Sequence, residues 1–188
     1  MAHRAVLHVM SGKLASGKTT FAERLAETLE AVFISEDVWL SVLFPGQIGS
    51  FQDYLVLSGR FRRTIEIHIR SLLRKGLSVV FDFGGNAPKE RAWVKAIARA
   101  EKAGFMVHYL RASNETCKSR LRRRNRKKPM GSKPTTMKEF DSITRFFVPP
   151  SRSEGFDMRE YAAGKLILGT SPGAMVRRPR RSPRNSVS

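Results

Sequence analysis

Residues Gly12-Lys13-Leu14-Ala15-Ser16-Gly17-Lys18-Thr19 satisfy G-x-x-x-x-G-K-[ST] at every position, the spacing of a phosphate-binding P-loop. The residue types explain the chemistry. Gly12 and Gly17 open backbone dihedrals closed to other residues and let the chain approach a phosphate closely. Successive backbone N–H groups then form an anion-binding nest at the positive end of the helix that follows. Lys18 is placed to reach the β- and γ-phosphates, and the Thr19 hydroxyl to ligate Mg²⁺. The candidate nucleotide-binding residues are therefore Gly12, Lys13, Leu14, Ala15, Ser16, Gly17, Lys18, Thr19 and Thr20, with ATP and Mg²⁺ as the implied cofactors. A glycine-rich turn that binds nothing is the plain alternative, and the flanking elements weigh against it.

Those elements are the ones the motif requires. Ala5-Val6-Leu7-His8-Val9-Met10 has the length and β-branching of a buried strand. After the loop, Phe21, Leu25 and Leu29 recur every fourth residue, as on the buried stripe of a helix. Ala31 to Ser35 reads as a second strand and Leu77 to Phe83 as a third. Between them Tyr54, Leu57, Phe61, Ile65, Ile69 and Leu72 recur at helical spacing up to Gly76. Pro88 suits the first turn of a helix running to about Lys102, and Phe105 to Leu110 is a fourth strand. Ser113 or Asn114 can cap a helix that runs into Arg120-Leu121-Arg122-Arg123-Arg124-Asn125-Arg126. Another helix is expected near Thr136 to Phe147, and Lys165 to Leu168 reads as a short fifth strand.

Strands alternating with helices imply an α/β fold with a parallel sheet covered on both faces. Right-handed crossovers bring the C-terminal ends of the strands to one edge, where ligands bind. The P-loop, Ser35-Glu36-Asp37 and Asp82-Phe83-Gly84-Gly85 converge there. Asp37 is the candidate base that orients an acceptor hydroxyl. Its structural alternative is capping the short helix beyond it, and Glu36 is the alternative base. Asp82 is the candidate second metal ligand with Thr19, or a hydrogen-bond partner of the P-loop. Arg120, Arg123 and Arg124 share one helix face. Arg120 and Arg124 are expected to close on the phosphates as an Arg-rich lid spanning about residues 120–135, while most of that basic run is a solvated face. Arg60, Arg62 and Arg63 also read as a solvated face.

The net charge is +19, and it is unevenly spread. Arg111 to Lys133 carries ten Lys or Arg against Glu115 alone, and residues 171–188 carry five Arg and no acid. These are two basic features on a mildly basic body. They keep nucleic acid open as a partner, through the lid and the tail, beside a small-molecule acceptor. The lone Cys117 rules out an internal disulfide. No run of apolar residues is long enough for a membrane span. The first strand begins too early to leave room for a leader peptide. A cytoplasmic protein without a membrane partner is the expectation. Residues 1–170 read as one domain and 171–188 as a basic, disordered tail. Oligomeric state has no signature in the sequence.

The P-loop, the Asp37 turn, Asp82 after its apolar run and the Arg120–Arg126 stretch together resemble the P-loop kinases of the AAA-type ATP-binding, or predicted-kinase, group. That group includes chloramphenicol phosphotransferase-like, zeta-toxin-like and polynucleotide-kinase domains. Ile143 to Pro150 and Glu154-Gly155-Phe156 extend the likeness to a narrower set of bacterial kinases. The resemblance implies a P-loop NTPase with a five-stranded parallel sheet in the order 2-3-1-4-5, flanked by helices. It places the role of catalytic base on Asp37. The implied activity is transfer of the γ-phosphate of ATP to a hydroxyl of an antibiotic, sugar or nucleoside. A polynucleotide 5′-hydroxyl kinase and a non-catalytic nucleotide-dependent binding module are the other readings. Such kinases usually have a helix after the fifth strand, and residues before it help hold adenine. Here Leu168-Gly169-Thr170 runs straight into the tail, so the choice between ATP and GTP stays open.

Overall fold

The computed structural model describes residues 4–83, 85–127 and 135–170. The lid segment 128–134 and the tail 171–188 lie outside the described residues, so the expectations for them stand as stated. Six strands form one sheet in the order β2-β3-β1-β4-β5-β6. They are β1 (Val6–Ser11), β2 (Val32–Ile34), β3 (Val79–Phe81), β4 (Gly104–Arg111), β5 (Asp157–Ala162) and β6 (Lys165–Thr170). The first five pair in parallel, and β6 is antiparallel to β5. The α/β, P-loop architecture and the order of its first four strands are as expected.

The expected five-stranded parallel sheet needs one correction. The fifth parallel strand is Asp157–Ala162, and Lys165–Thr170 is a sixth strand folded back along it. Only Ala163 and Gly164 connect the two, with φ of 49° and 79°. Two successive positive φ values make the tight hairpin turn that matches strand twist. A parallel return would need a crossover of a dozen or more residues.

Alternation along the strands sorts the core into two layers. Leu7 and Val9 of β1, Val79 and Phe81 of β3 and Val107 of β4 pack with α3 (Phe51–Arg74) and α4 (Pro88–Ala100). Met10, Val80 and Leu110 point the other way, onto Ala22 and Ala26 of α1 (Lys18–Thr28). Leu57, Phe61, Ile65, Ile69 and Leu73 form the buried stripe of α3, each worth about 1.5–3 kcal/mol when taken from water. A capping box starts that helix: Ser50 Oγ accepts from Asp53 N at 3.1 Å, and Asp53 Oδ2 accepts from Ser50 N at 2.9 Å.

A third cluster lies beside the P-loop. Cys117 and Leu121 of α5 (Asn114–Lys127) and Phe140 of α6 (Met137–Thr144) are fully buried against Leu14 and Ala15. The variable residues of the P-loop thus hold the lid helices in place. Cys117 is a packing residue of this cluster, as a buried free cysteine commonly is.

Candidate active site

The P-loop joins the end of β1 to the start of α1, and its backbone explains the glycines. Gly12 has φ of 153°, and a Cβ there would lie 2.7 Å from Ser16 Oγ and 2.8 Å from Leu110 O. Gly17 is the N-cap of α1 at φ 104°. No side chain caps that helix, and its first turn holds no acid. The first-turn N–H groups are therefore directed into the loop, as an anion site requires. Ala15 is a non-glycine residue at φ 59°, the kind of local strain that collects at functional loops.

Lys18 Nζ donates to Gly12 O at 2.8 Å and Lys13 O at 2.9 Å. Burial lowers its pKa, and the carboxylates of Asp82 and Asp37 oppose that shift. An ammonium held by two carbonyls inside the loop is positioned to meet phosphate oxygens. Asp82 follows β3. Burial pushes its carboxyl up to about 6, against the hydrogen bond from Thr19 and the charge of Lys18. Asp82 Oδ1 is buried without a hydrogen-bond partner. Among the described residues no three His, Cys, Asp or Glu side chains gather as a full metal cage. Mg²⁺ keeps several waters, takes phosphate oxygens and needs only one or two protein ligands. An orphaned carboxylate oxygen beside a threonine hydroxyl fits that hard-oxygen donor set.

The Ser35-Glu36-Asp37 turn separates two acids by their surroundings. Ser35 is the N-cap of α2 (Glu36–Leu43), so Asp37 lies inside the first turn and not at the cap. Glu36 is fully buried and points at α3. It accepts from Tyr54 Oη at 2.8 Å and Ser58 Oγ at 2.7 Å, with Arg62 Nε at 3.4 Å. Burial raises its carboxyl to about 7 despite those donors. Asp37 is exposed, and its charge acts on both Lys18 and Asp82. The sheet edge therefore brings Lys18, Thr19, Asp82 and Asp37 around one space. Glu36 faces away from it, into the α2–α3 contact.

Of the lid arginines, Arg120 Nη1 donates to Ser16 O at 2.5 Å, directly on the P-loop. Arg124 Nη2 reaches Thr135 Oγ1 at 3.3 Å, and its charge acts on Lys18. Lys13 Nζ donates to Asn114 Oδ1 at 2.6 Å. Arg62 is not the solvated residue the sequence suggested: its guanidinium bridges Glu36 and Glu90 and lies 3.9 Å from the centroid of the Phe83 ring. Beside the P-loop a cavity of about 180 Å³ opens between Ser16, Phe21, Thr116, Arg120, Tyr161 and Gly164. Below it His108 bridges His8 (2.9 Å) and the Tyr161 hydroxyl (3.1 Å). Burial lowers both imidazoles, to about 3 and about 4, so both are neutral at pH 7.

Asn86 and Arg91 have no counterpart in the sequence reading. Asn86 Oδ1 accepts from Gly12 N at 3.2 Å. Arg91 is fully buried and pairs with Glu154 through two 2.8 Å contacts. The Glu154-Gly155-Phe156 resemblance was the one signal near Arg91. Asn86, directly after Gly84-Gly85, had none beyond its place after a strand.

A P-loop at the first strand, an Asp after the third and an Arg-bearing helix over the loop define a P-loop kinase-like protein. The chain belongs to the AAA domain family, whose model matches residues 7–150. No curated protein sequence matches the chain closely enough to count as a relative. Solved structures share the fold at low identity. A kinase-like protein of Chloroflexus aurantiacus superposes with a TM-score of 0.70 at 15% identity, over 87% of this chain and 88% of the other. Chaetomium thermophilum Kti12, bound to ADP-AlF3, gives 0.66 at 16%, over 84% and 89%. Mycobacterium tuberculosis APS kinase CysC, bound to AMPPNP and APS, gives 0.59 at 16%, over 86% and 90%.

Proposed function

We propose that the protein is an ATP-dependent phosphotransferase that moves the γ-phosphate of ATP to a hydroxyl group of a small molecule. The observation that carries this reading is the convergence of Lys18, the Thr19–Asp82 pair and exposed Asp37 at one sheet edge. The P-loop amides and Lys18 hold the β- and γ-phosphates, and the base and ribose extend into the cavity beside Ser16. Thr19 and Asp82 hold Mg²⁺, which neutralises phosphate charge when bound. Asp37 accepts the proton of the acceptor hydroxyl as its oxygen bonds to the γ-phosphorus and the bond to the ADP oxygen breaks. Arg120 supplies positive charge over the transferring group. α3 walls the acceptor side through Tyr54 and Arg62.

The test is transfer of label from γ-labelled ATP to a panel of antibiotics, sugars, nucleosides and 5′-hydroxyl oligonucleotides, with Lys18→Ala as control. Label on a small molecule, absent with the control, supports the reading. Asp37→Asn retains ATP binding and loses transfer by about 10²–10⁴-fold, the range for removing a general base. Transfer at the parental rate would show that Asp37 is not the base.

One observation favours a second reading, a kinase of nucleic-acid ends. Arg120, Arg122, Arg123, Arg126 and Lys127 are exposed on α5. Among the described residues no carboxylate lies within salt-bridge distance of any of them; Lys118, paired with Asp141, is the contrast. Unpaired cations beside a phosphate site suit a polyanionic acceptor, whose binding falls steeply with salt. Label confined to the oligonucleotides selects this reading.

A further inference from the structure

The P-loop is braced from outside its own motif, by groups far away in sequence. The first N–H of the loop, on Gly12, donates to Asn86 Oδ1 at 3.2 Å. The identity of that atom is fixed by the partner: an N–H can only be met by the oxygen of the side-chain amide. Asn86 is itself held by its main chain, because its carbonyl accepts from Val148 N at 2.9 Å. The residue before it is fixed as well. Gly85 packs so closely on the end of β1 that a Cβ would lie 2.0 Å from Met10 O.

Arg91 ties these pieces together. Its Nη1 donates to both Gly85 O and Val148 O at 2.9 Å. Its Nε and Nη2 pair with the two Glu154 oxygens at 2.8 Å each. Glu154 Oε1 also accepts from Ser151 N at 2.9 Å, and Lys95 Nζ donates to Glu154 O at 2.8 Å. One fully buried guanidinium thus joins α4, the loop after β3 and the segment between α6 and β5. Bidentate guanidinium–carboxylate contacts are directional and set geometry as well as charge. Such a group is costly to bury unless every donor is used. Here four of its five N–H donors are used, all on the two segments that hold Asn86.

We propose that Asn86 is a positioning residue of the nucleotide site, and that the Arg91–Glu154 pair acts on the P-loop through it. The inference rests on the P-loop being a nucleotide site and extends that site by three residues. Asn86 fixes the direction of the Gly12 peptide, whose carbonyl takes the Lys18 ammonium at 2.8 Å. Glu154 and Arg91 fix Asn86. The segment Val148–Glu154, far from the P-loop in sequence, is thereby part of what shapes the loop.

Two measurements test this on the full chain. The first is amide hydrogen exchange of Gly12 in nucleotide-free protein, with the β1 and β4 core amides as controls for folding. The second is ADP affinity by titration calorimetry. Asn86→Ala speeds Gly12 exchange at least about tenfold and weakens ADP about tenfold, the value of one net hydrogen bond. Asn86→Asp keeps an acceptor oxygen and preserves Gly12 protection to within about threefold. Glu154→Gln speeds Gly12 exchange while leaving the core amides unchanged, and adds nothing when combined with Asn86→Ala. Unchanged Gly12 exchange in Asn86→Ala, or in Glu154→Gln, overturns the inference. If the parent protein binds no ADP, the nucleotide reading itself falls and takes the role in nucleotide binding with it. The exchange data still decide whether the brace exists.

Discussion

Glu36→Gln separates the two acids of the α2 turn by their opposite environments. Both Glu36 oxygens are consumed by α3, through Tyr54, Ser58 and Arg62, and burial raises its carboxyl from 4.5 to about 7. The native state therefore keeps a proton on Glu36 that the unfolded chain has already released. No stability is lost below about pH 4.5, where both states are protonated. Stability falls as pH rises through the window up to about 7, then levels off. At about 1.4 kcal/mol per decade, the whole displacement is worth about 3 kcal/mol, most of which falls between pH 5 and pH 8. Glutamine fills the same space without a charge: its one amide oxygen accepts from one of the two hydroxyls, its –NH2 donates to the other, and Arg62 retains Glu90. Denaturant unfolding of parent and Glu36→Gln at pH 5, 6, 7 and 8 reads the effect as a difference, in which all other titrating groups cancel. The variant gains about 2–3 kcal/mol on the parent from pH 5 to pH 8. A difference flat to within about 0.5 kcal/mol would refute the argument from burial. Phosphoryl transfer by Glu36→Gln stays within about threefold of the parent, since the side chain points away from the phosphates. A loss as large as that of Asp37→Asn would hand the role of base to Glu36.

Other consequences are equally open to measurement. Gly85→Ala pushes a methyl onto Met10 O, costs about 3 kcal/mol as an overpacked backbone contact, and lowers Tm by roughly 6–12 °C in a thermal melt. Asp82→Asn removes an anionic oxygen from the Thr19 pair. ADP titrations with and without Mg²⁺ then show the metal-dependent gain in affinity of the parent and none in the variant. Arg120→Ala breaks the contact to Ser16 O. It lowers kcat/KM for ATP by about 10–100-fold in steady-state assays while the melt moves by no more than about 2 °C, since the side chain is exposed.

What the sequence makes legible follows from how local each signal is. The P-loop is readable because two glycines, a lysine and a threonine must stand at fixed offsets whatever surrounds them, and the strand and helix on either side are each buried on a regular period. The end of the sheet inverts the same rules. Asp157-Met158-Arg159-Glu160-Tyr161-Ala162 has no apolar run, yet it is the fifth parallel strand. Met158 enters the α3–α4 core and Tyr161 meets Phe21 of α1 across the sheet. Of the charged residues between them, Arg159 is exposed and Glu160 pairs with Arg111 at 3.3 Å. Leu166, Ile167 and Leu168 look like a buried strand and are instead an edge, 56%, 46% and 38% exposed. Periodicity reports how many faces are covered, not where a strand lies in the order.

Arg91 and Asn86 were hidden for a different reason. By residue type an arginine reads as solvated, although its spacing in α4 puts Arg91 on the buried face with Val94 and Ala98, and an asparagine after Gly84-Gly85 belongs to a turn. What makes one a fully buried cation and the other an acceptor for Gly12 is the meeting of α4, the loop after β3 and the segment from Val148 to Glu154. Those partners stand 57 and 63 residues away from Arg91 and 74 from Asn86. No local window contains them together. A motif therefore marks where phosphate binds, while the groups that hold the motif rigid are supplied by topology. If the proposed brace holds, substitutions at Asn86, Arg91 and Glu154 change nucleotide affinity without any change to the motif itself.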